Sequence, residues 1–253
     1  MIEFQDVKLA YGSNVVLDGL NFKASFHEKI AILGGSGMGK TTILKLLLRL
    51  AVPDRGRILI DGQDSSEMTS EELRKARMKF SIVFQEGALF DSMNVKENIA
   101  FALREYTDYS EDEIDRRVRE LAGRLGIEHA LFLMPEELSG GMQRRVAIAR
   151  SLAAGNPKMM LYDEPTTGLD PLTAANICNL INELSQGEPP QRMGLIAVTH
   201  KVTDAVKIAE RFIYLRDNIV FDGNIRELIN TSNVELRDFI AELFIKESYD
   251  FSH

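Results

Sequence analysis

Ile30-Ala31-Ile32-Leu33-Gly34-Gly35-Ser36-Gly37-Met38-Gly39-Lys40-Thr41 joins a short apolar run to a glycine-rich turn that opens the helical pattern Thr41–Leu50. It has the G-x4-G-K-S/T form of a phosphate loop, in the strand-to-helix context which that form requires. Glycines let successive backbone N–H groups turn inward at a helix N-terminus, where unpaired amides and the helix dipole both favour negative charge. Gly34, Gly35, Ser36, Gly37, Met38 and Gly39 are therefore expected to wrap the phosphates of a nucleoside triphosphate, with Thr42 beside them. Lys40 would reach the β- and γ-phosphates and Thr41 would ligate Mg2+.

Outward from this loop, strand-like segments fall at Asn21–Phe26, Lys29–Leu33, Arg57–Ile60, Phe80–Phe84, Met159–Tyr162, Leu195–Val198, Phe212–Leu215 and Asn218–Phe221, interleaved with helical patterns. The implied fold class is mixed α/β. Between Gln85 and Ser139 the pattern turns helical: Asn94 can cap Val95–Arg104, and Ser110 with Glu113 reads as a capping box for a helix running to Leu125. Ser185–Gln191 reads as a surface loop from its glycine and prolines.

Leu138-Ser139-Gly140-Gly141-Met142-Gln143 stands just ahead of the helical Arg144–Ala154, and Met159–Tyr162 follows as a buried strand ending in Asp163-Glu164. Ser139 as a helix cap with two glycines behind it is suited to holding an anion. Together with the phosphate loop these stretches resemble the ATPase subunit of an ABC transporter, and the resemblance covers nearly the whole chain. It implies an ABC-type P-loop core (1–85 and 159–230) with an antiparallel β subdomain, an inserted helical subdomain carrying the signature (86–158), and a C-terminal helix and tail (231–253). In that family the signature pins the γ-phosphate of a nucleotide held by a second subunit, so Ser139, Gly140 and Gly141 are implied to act across a homodimer.

The remaining family positions carry over one by one. Tyr11 matches the aromatic that stacks on adenine, and Gln85 the glutamine that touches Mg2+ and the attacking water. Asp163 matches the carboxylate on Mg2+, Glu164 the general base, and Gly168-Leu169-Asp170 the loop crossing the dimer seam. Adjacent carboxylates at a strand end would let one face the metal and the other the nucleophile. His200 matches the switch histidine on the γ-phosphate. Met142 and Lys201 depart from the common pattern, which has Gln and an acid there, but neither change removes a catalytic group. Hydrolysis of ATP is the expected activity.

Composition narrows the setting. The 253 residues suit one sizeable α/β domain with a subdomain. A net charge of −8 argues against a nonspecific nucleic-acid surface, because duplex affinity rests largely on Lys and Arg neutralising phosphates. The single cysteine, Cys178, can form no internal disulfide and reads as a core thiol in a reducing compartment. Glu3 and Asp6 lie within a strand pattern where a signal peptide would have a basic and then an apolar stretch. No apolar run approaches the ~20 residues that span a bilayer, so a channel would come from another chain.

The stretch Gln85-Glu86-Gly87-Ala88-Leu89-Phe90, with the later Met134-Pro135-Glu136-Glu137-Leu138-Ser139, is similar to the ATPase of Mla/Mce-type phospholipid transport systems of double-membraned bacteria. That resemblance implies a permease, an MCE-domain lipid-binding protein, a small cytoplasmic regulatory subunit and a place on the cytoplasmic face of the inner membrane. Leu89 and Phe90 would seat a short permease helix, or else belong to the subdomain core. A soluble ABC-type ATPase serving assembly, such as an iron–sulfur scaffold partner, and an ATPase for another small solute are the alternatives.

At the C-terminus Leu236, Phe239, Ile240, Leu243 and Phe244 share one face of a helix beginning near Asn233, with Glu235, Arg237, Asp238 and Glu242 largely outside it. This helix is expected to dock on its own domain. Tyr249 and Phe251, aromatic in an otherwise polar tail, read as an anchor, and the resemblance to Mla-type ATPases, whose C-terminal extensions embrace the neighbouring ATPase subunit, implies that they bind the partner chain.

Overall fold

The computed structural model describes residues 1–153, 155–187, 189, 192–241 and 243. The strands β1 (Ile2–Tyr11) and β2 (Asn14–Ala24) form an antiparallel hairpin, and β3 (Lys29–Leu33) leads through the phosphate loop into α1 (Lys40–Leu47). β4 (Arg55–Ile60), β5 (Gln63–Asp64) and α2 (Ser70–Arg77) precede β6 (Phe80–Val83). Then come α3 (Val95–Tyr106), α4 (Glu111–Arg124) and α5 (Gly140–Ala153). β7 (Met159–Asp163), α6 (Pro171–Leu184), β8 (Gly194–Thr199) and α7 (Val202–Ile208) complete the central sheet's alternation. β9 (Arg211–Leu215), β10 (Ile219–Asn224), α8 (Ile225–Ile229) and α9 (Val234–Phe239) follow.

Two sheets result. One has the order β2-β1-β4-β5 and is antiparallel; the other runs β10-β9-β3-β8-β7-β6, parallel except where β10 meets β9. Parallel strands are covered on both faces, which is why β3, β7 and β8 read as continuous apolar runs. Their period of two separates the faces. Ile30, Ile32, Met159, Leu161, Ile196 and Val198 pack towards the antiparallel sheet and α1, whereas Met160, Tyr162, Leu195 and Ala197 pack under α3 to α6. Ala31 and Leu33 join a third cluster formed with α7, β9 and α9.

Several boundaries differ from the sequence expectation for local reasons. α1 ends at Leu47, because Arg49 adopts a left-handed φ of 54°. Ser110 caps α4 by accepting from the Glu113 N–H, but the box is not closed: the Glu113 carboxylate pairs with Arg116 and Arg117 further along the helix. Ser185 is buried as the C-cap of α6, so the following loop begins after it; Glu188, Pro190 and Gln191 lie outside the described residues. α2 has no counterpart in the sequence reading, although Thr69 and Glu72 form a closed capping box at its start.

The C-terminal helix docks on its own domain. Asn233 caps α9 by accepting from the Leu236 N–H, Leu236 and Ile240 are fully buried, and Phe239 and Leu243 pack partly buried against the same cluster. Glu242, Phe244 and the tail with Tyr249 and Phe251 lie outside the described residues. Among the described residues no helix is long and apolar enough to cross a membrane.

Cys178 sits on α6 with its thiol fully buried, and burial together with the Asp204 carboxylate pushes it up to about 11. The thiolate is the reactive form. Iodoacetamide at pH 8 is therefore expected to leave the folded chain unmodified over a period that labels it completely in denaturant, as read by mass spectrometry. Rapid labelling of the native chain would contradict the burial.

Candidate active site

β3 carries Leu33 between Thr199 of β8 and Tyr214 of β9, so the phosphate loop emerges from the middle of the parallel sheet. Gly39 caps α1 with φ 81°, and a Cβ there would stand 2.7 Å from Val16 Cγ1. Glycine alone lets the turn close against β2. The Lys40 ammonium is buried and donates to the carbonyls of Gly34 and Gly35, both at 2.9 Å. Thr41 donates its hydroxyl to Asp163 Oδ1 at 2.8 Å.

Asp163 ends β7, and Glu164 follows with a left-handed φ of 48°, its N–H donating to the Val198 carbonyl at 2.9 Å. Continued strand would send neighbouring side chains to opposite faces. The left-handed turn instead brings both carboxylates to the phosphate loop: Asp163 to Thr41, and Glu164 Oε1 to within 3.5 Å of Lys40 Nζ. Such a conformation in a non-glycine residue costs on the order of 1–3 kcal/mol and collects at functional sites.

Glu164 Oε2 accepts from Thr167 Oγ1 at 2.9 Å and Thr199 Oγ1 at 3.1 Å, and lies 3.0 Å from His200 Nδ1. Burial works to raise its pKa, but hydrogen bonds from His200 and Thr167, with the positive charges of His200 and Lys40, hold the carboxyl below its ordinary range. Asp163 goes the other way: burial, reinforced by the Glu164 charge, raises it despite the Thr41 hydrogen bond. Two adjacent acids are thus held in different environments by one turn of backbone.

The residues singled out in the sequence divide into two groups. Tyr11, Ser36, Gly37, Gly39, Lys40, Thr41, Thr42, Gln85 and Glu164 line one cavity, and Gly35, Ser36, Gln85, Glu164 and His200 line its neighbour. Tyr11 is 53% exposed at the end of β1, open to stacking. Gly140 lines a third cavity with Gln85, Thr167 and Gly168, and Ser139, Gly141 and Asp170 sit at the adjoining starts of α5 and α6. Ser139 caps α5, accepting from the Met142 N–H at 3.3 Å, and Asp170 caps α6, accepting from Leu172 and Thr173. A Cβ on Gly141 would stand 2.5 Å from Thr173 Cγ2, so only glycine lets α5 start against α6.

Three contributors were not singled out from the sequence. Thr167 and Thr199 supply hydroxyls to Glu164, and the buried Arg144 donates to the carbonyls of Phe84 at 2.9 Å and Thr167 at 3.3 Å. Arg144 therefore ties the residue before Gln85 to the loop after Glu164. Its signal was an arginine one turn into the helix that the signature opens. Lys201, a departure from the family pattern, donates to the Thr166 carbonyl at 2.9 Å and so ties the His200 turn to the same loop. Leu89 packs partly buried against the helical core, whereas Phe90 is exposed beside Phe101 and under Arg150.

A phosphate loop, a strand-end acid pair facing it and a capped glycine signature define an ATP-binding cassette. The chain belongs to the ABC transporter family, whose model matches residues 17–167. It is 35% identical over 241 residues to the intermembrane phospholipid transport system ATP-binding protein MlaF of Haemophilus influenzae, covering 95% of this chain and 90% of that one. It is 34% identical over 245 residues to the glutamine transport ATP-binding protein GlnQ of Escherichia coli, covering 96% of this chain and 100% of that one. Among solved structures, a dimeric ATP-binding cassette in a post-hydrolysis state bound to ADP and Pi matches with a TM-score of 0.77 at 31% identity, over 89% of this chain and 99% of that one. The chain is an ATP-binding and ATP-hydrolysing subunit that powers an ABC transporter.

Proposed function

We propose that this chain is the ATPase of a phospholipid transport system of the Mla type, bound through a permease to the cytoplasmic face of the inner membrane. The observation that carries it is the acid pair held on the phosphate loop in a chain that matches MlaF over nearly its whole length. Gln85–Phe90 and Met134–Ser139 add the local pattern, and Phe90, Met78 and Tyr106 leave exposed apolar surface for a permease helix beside the helical segment 86–158. An MCE-domain lipid-binding protein and a small regulatory subunit complete the assembly.

Two chains close around two ATP molecules. Each site joins Lys40, Thr41, Gln85, Asp163, Glu164 and His200 of one chain to Ser139 and Gly141 of the other, with Tyr11 against adenine and Asp170 at the seam. Ser139 and Gly141 line neither of the two cavities formed by the phosphate loop and Glu164, which supports this arrangement, as does the dimeric relative. Thr41 and Asp163, already oxygen to oxygen, are the donors for Mg2+, with Gln85 lining the same cavity; this hard-oxygen set leaves positions for phosphate and water, as Mg2+ requires. Bound there, the ion would neutralise charge on the phosphate oxygens. Glu164 takes the proton of the attacking water. An entering γ-phosphate would compete for Lys40 and for the His200 ring nitrogen, both of which now face Glu164, and losing those contacts raises its proton affinity towards that of a base. Closure and opening then bias the permease through their different affinities for nucleotide.

The test is to co-express the chain with its membrane subunit, reconstitute the complex in nanodiscs and follow ATPase activity and bound lipid. Co-purified phospholipid and turnover that responds to it are expected. The resemblance to GlnQ favours a second reading, an amino-acid importer. Stimulation by an amino acid with its binding protein, and none by lipid, would replace the lipid assignment. An ATPase that captures no membrane subunit would point to an assembly factor.

A further inference from the structure

We propose that Phe239, carried by the C-terminal helix to the wall of the cavity holding Glu164 and His200, is a positioning residue that restricts and orients the attacking water. The inference rests on Glu164 being the base. That cavity, about 400 Å³, is otherwise lined by polar or backbone groups, among them Gly35, Ser36, Thr167 and His200. Phe239 is its one hydrocarbon side chain, and it comes from near the end of the described chain.

Its placement is built. Leu236 and Ile240, one turn before it and one residue after it, are fully buried against Ala31, Leu33 and Tyr214. The Phe239 ring sits 5.1 Å from the Tyr214 ring, tilted by 53°. Tyr214 is the register partner of Leu33, the last residue before the phosphate loop. Tyr214 donates its hydroxyl to Glu235 Oε1 at 3.4 Å, and Arg216 pairs with Glu235 Oε2 at 3.0 Å. The helix is thus pinned to the strand beside the one that launches the loop, and the ring's position is set with the loop's.

An apolar wall does two things in such a cavity. It supplies no hydrogen bond, so a water in its lee must find its partners in Glu164, His200 and the phosphoryl oxygens. It also displaces other waters that would satisfy the base in unproductive geometries. Orientation of this kind is worth large factors in rate, and a small misplacement of reacting groups costs them. Because Phe239 does not line the cavity formed by Tyr11, Gly39, Lys40 and Thr41, ATP affinity is expected to be independent of it.

The full-length chain assembled with its membrane subunit serves for the test. Phe239→Ala is expected to lower kcat about tenfold with KM for ATP changed less than twofold, and Phe239→Leu to recover most of the loss. Leu236→Ala, which removes the anchor but leaves the ring, controls for helix docking: it should lower the thermal midpoint more than Phe239→Ala does. Unchanged kcat in Phe239→Ala, or kcat and ATP affinity falling together in both variants in proportion to stability, would overturn the proposal. Glu164→Gln is run beside them. If it keeps full turnover, the base assignment fails and this inference with it; if it abolishes turnover while Phe239→Ala is normal, only the role of Phe239 is lost.

Discussion

Glu164→Gln is expected to lower ATP turnover by ~10²–10⁴-fold while leaving ATP binding intact. The amide matches the carboxylate in size and can keep hydrogen bonds with Thr167 and Thr199, so the left-handed turn after β7 should survive. It cannot accept a proton at neutral pH. It also removes the charge facing Lys40 and His200, which frees the Lys40 ammonium and the His200 ring for the γ-phosphate. Binding should therefore hold or tighten as chemistry fails, and the closed dimer should outlive that of the unsubstituted chain. Phosphate release under saturating ATP, fluorescent-nucleotide titration and light scattering read the three quantities. Near-normal phosphate release would remove Glu164 from the role of base.

The sequence made the phosphate loop legible because its chemistry is written in consecutive residues: backbone amides, the Lys40 ammonium and the Thr41 hydroxyl all come from Gly34–Thr41. β3, β7 and β8 were legible for a related reason, since a strand buried on both faces admits almost no polar residue. α2 was not. Its eight residues are mostly charged, with Ala76 the single fully buried one, so no apolar stripe marks it and the closed box at Thr69 and Glu72 was the available signal.

The convergence of Asp163 and Glu164 on one loop also depends on information that pattern cannot hold. Period-two reasoning places them on opposite faces, and only the left-handed φ at Glu164 turns the second back. Thr199 and Arg144 were missed because they act through contacts distant in sequence: Thr199 meets Glu164 across 35 positions and Arg144 meets Phe84 across 60, whereas Thr167, three positions from Glu164, is placed by the turn that follows it. For α9 the periodic stripe was enough to predict docking. That one member of the stripe, Phe239, reaches the cavity follows from where β9 lies in the sheet.

Chains carrying Lys40→Ala and chains carrying Ser139→Ala, each nearly inactive alone, are expected to recover activity when mixed. In the proposed two-fold dimer each site would take its phosphate loop from one chain and its signature from the other. A mixed dimer then has one site with both lesions and one with neither, and random pairing at equal amounts should restore about a quarter of full activity. The geometry supports treating the signature as a rigid element for this purpose: Gly141 starts α5 hard against Thr173, and Asp170 caps the α6 helix that carries Thr173. Ser139→Ala removes a helix cap worth ~1 kcal/mol, so thermal midpoints must be matched before activities are compared. Absent recovery with no nucleotide trapped in the mixture would mean that Ser139 does not meet the partner's phosphate. Absent recovery with ATP held at one site per dimer would mean that the composite site forms but the two must fire together. Lys40 is buried in its own loop and cannot be replaced across the seam, so recovery would have no source other than the intact pairing of Lys40 in one chain with Ser139 in the other.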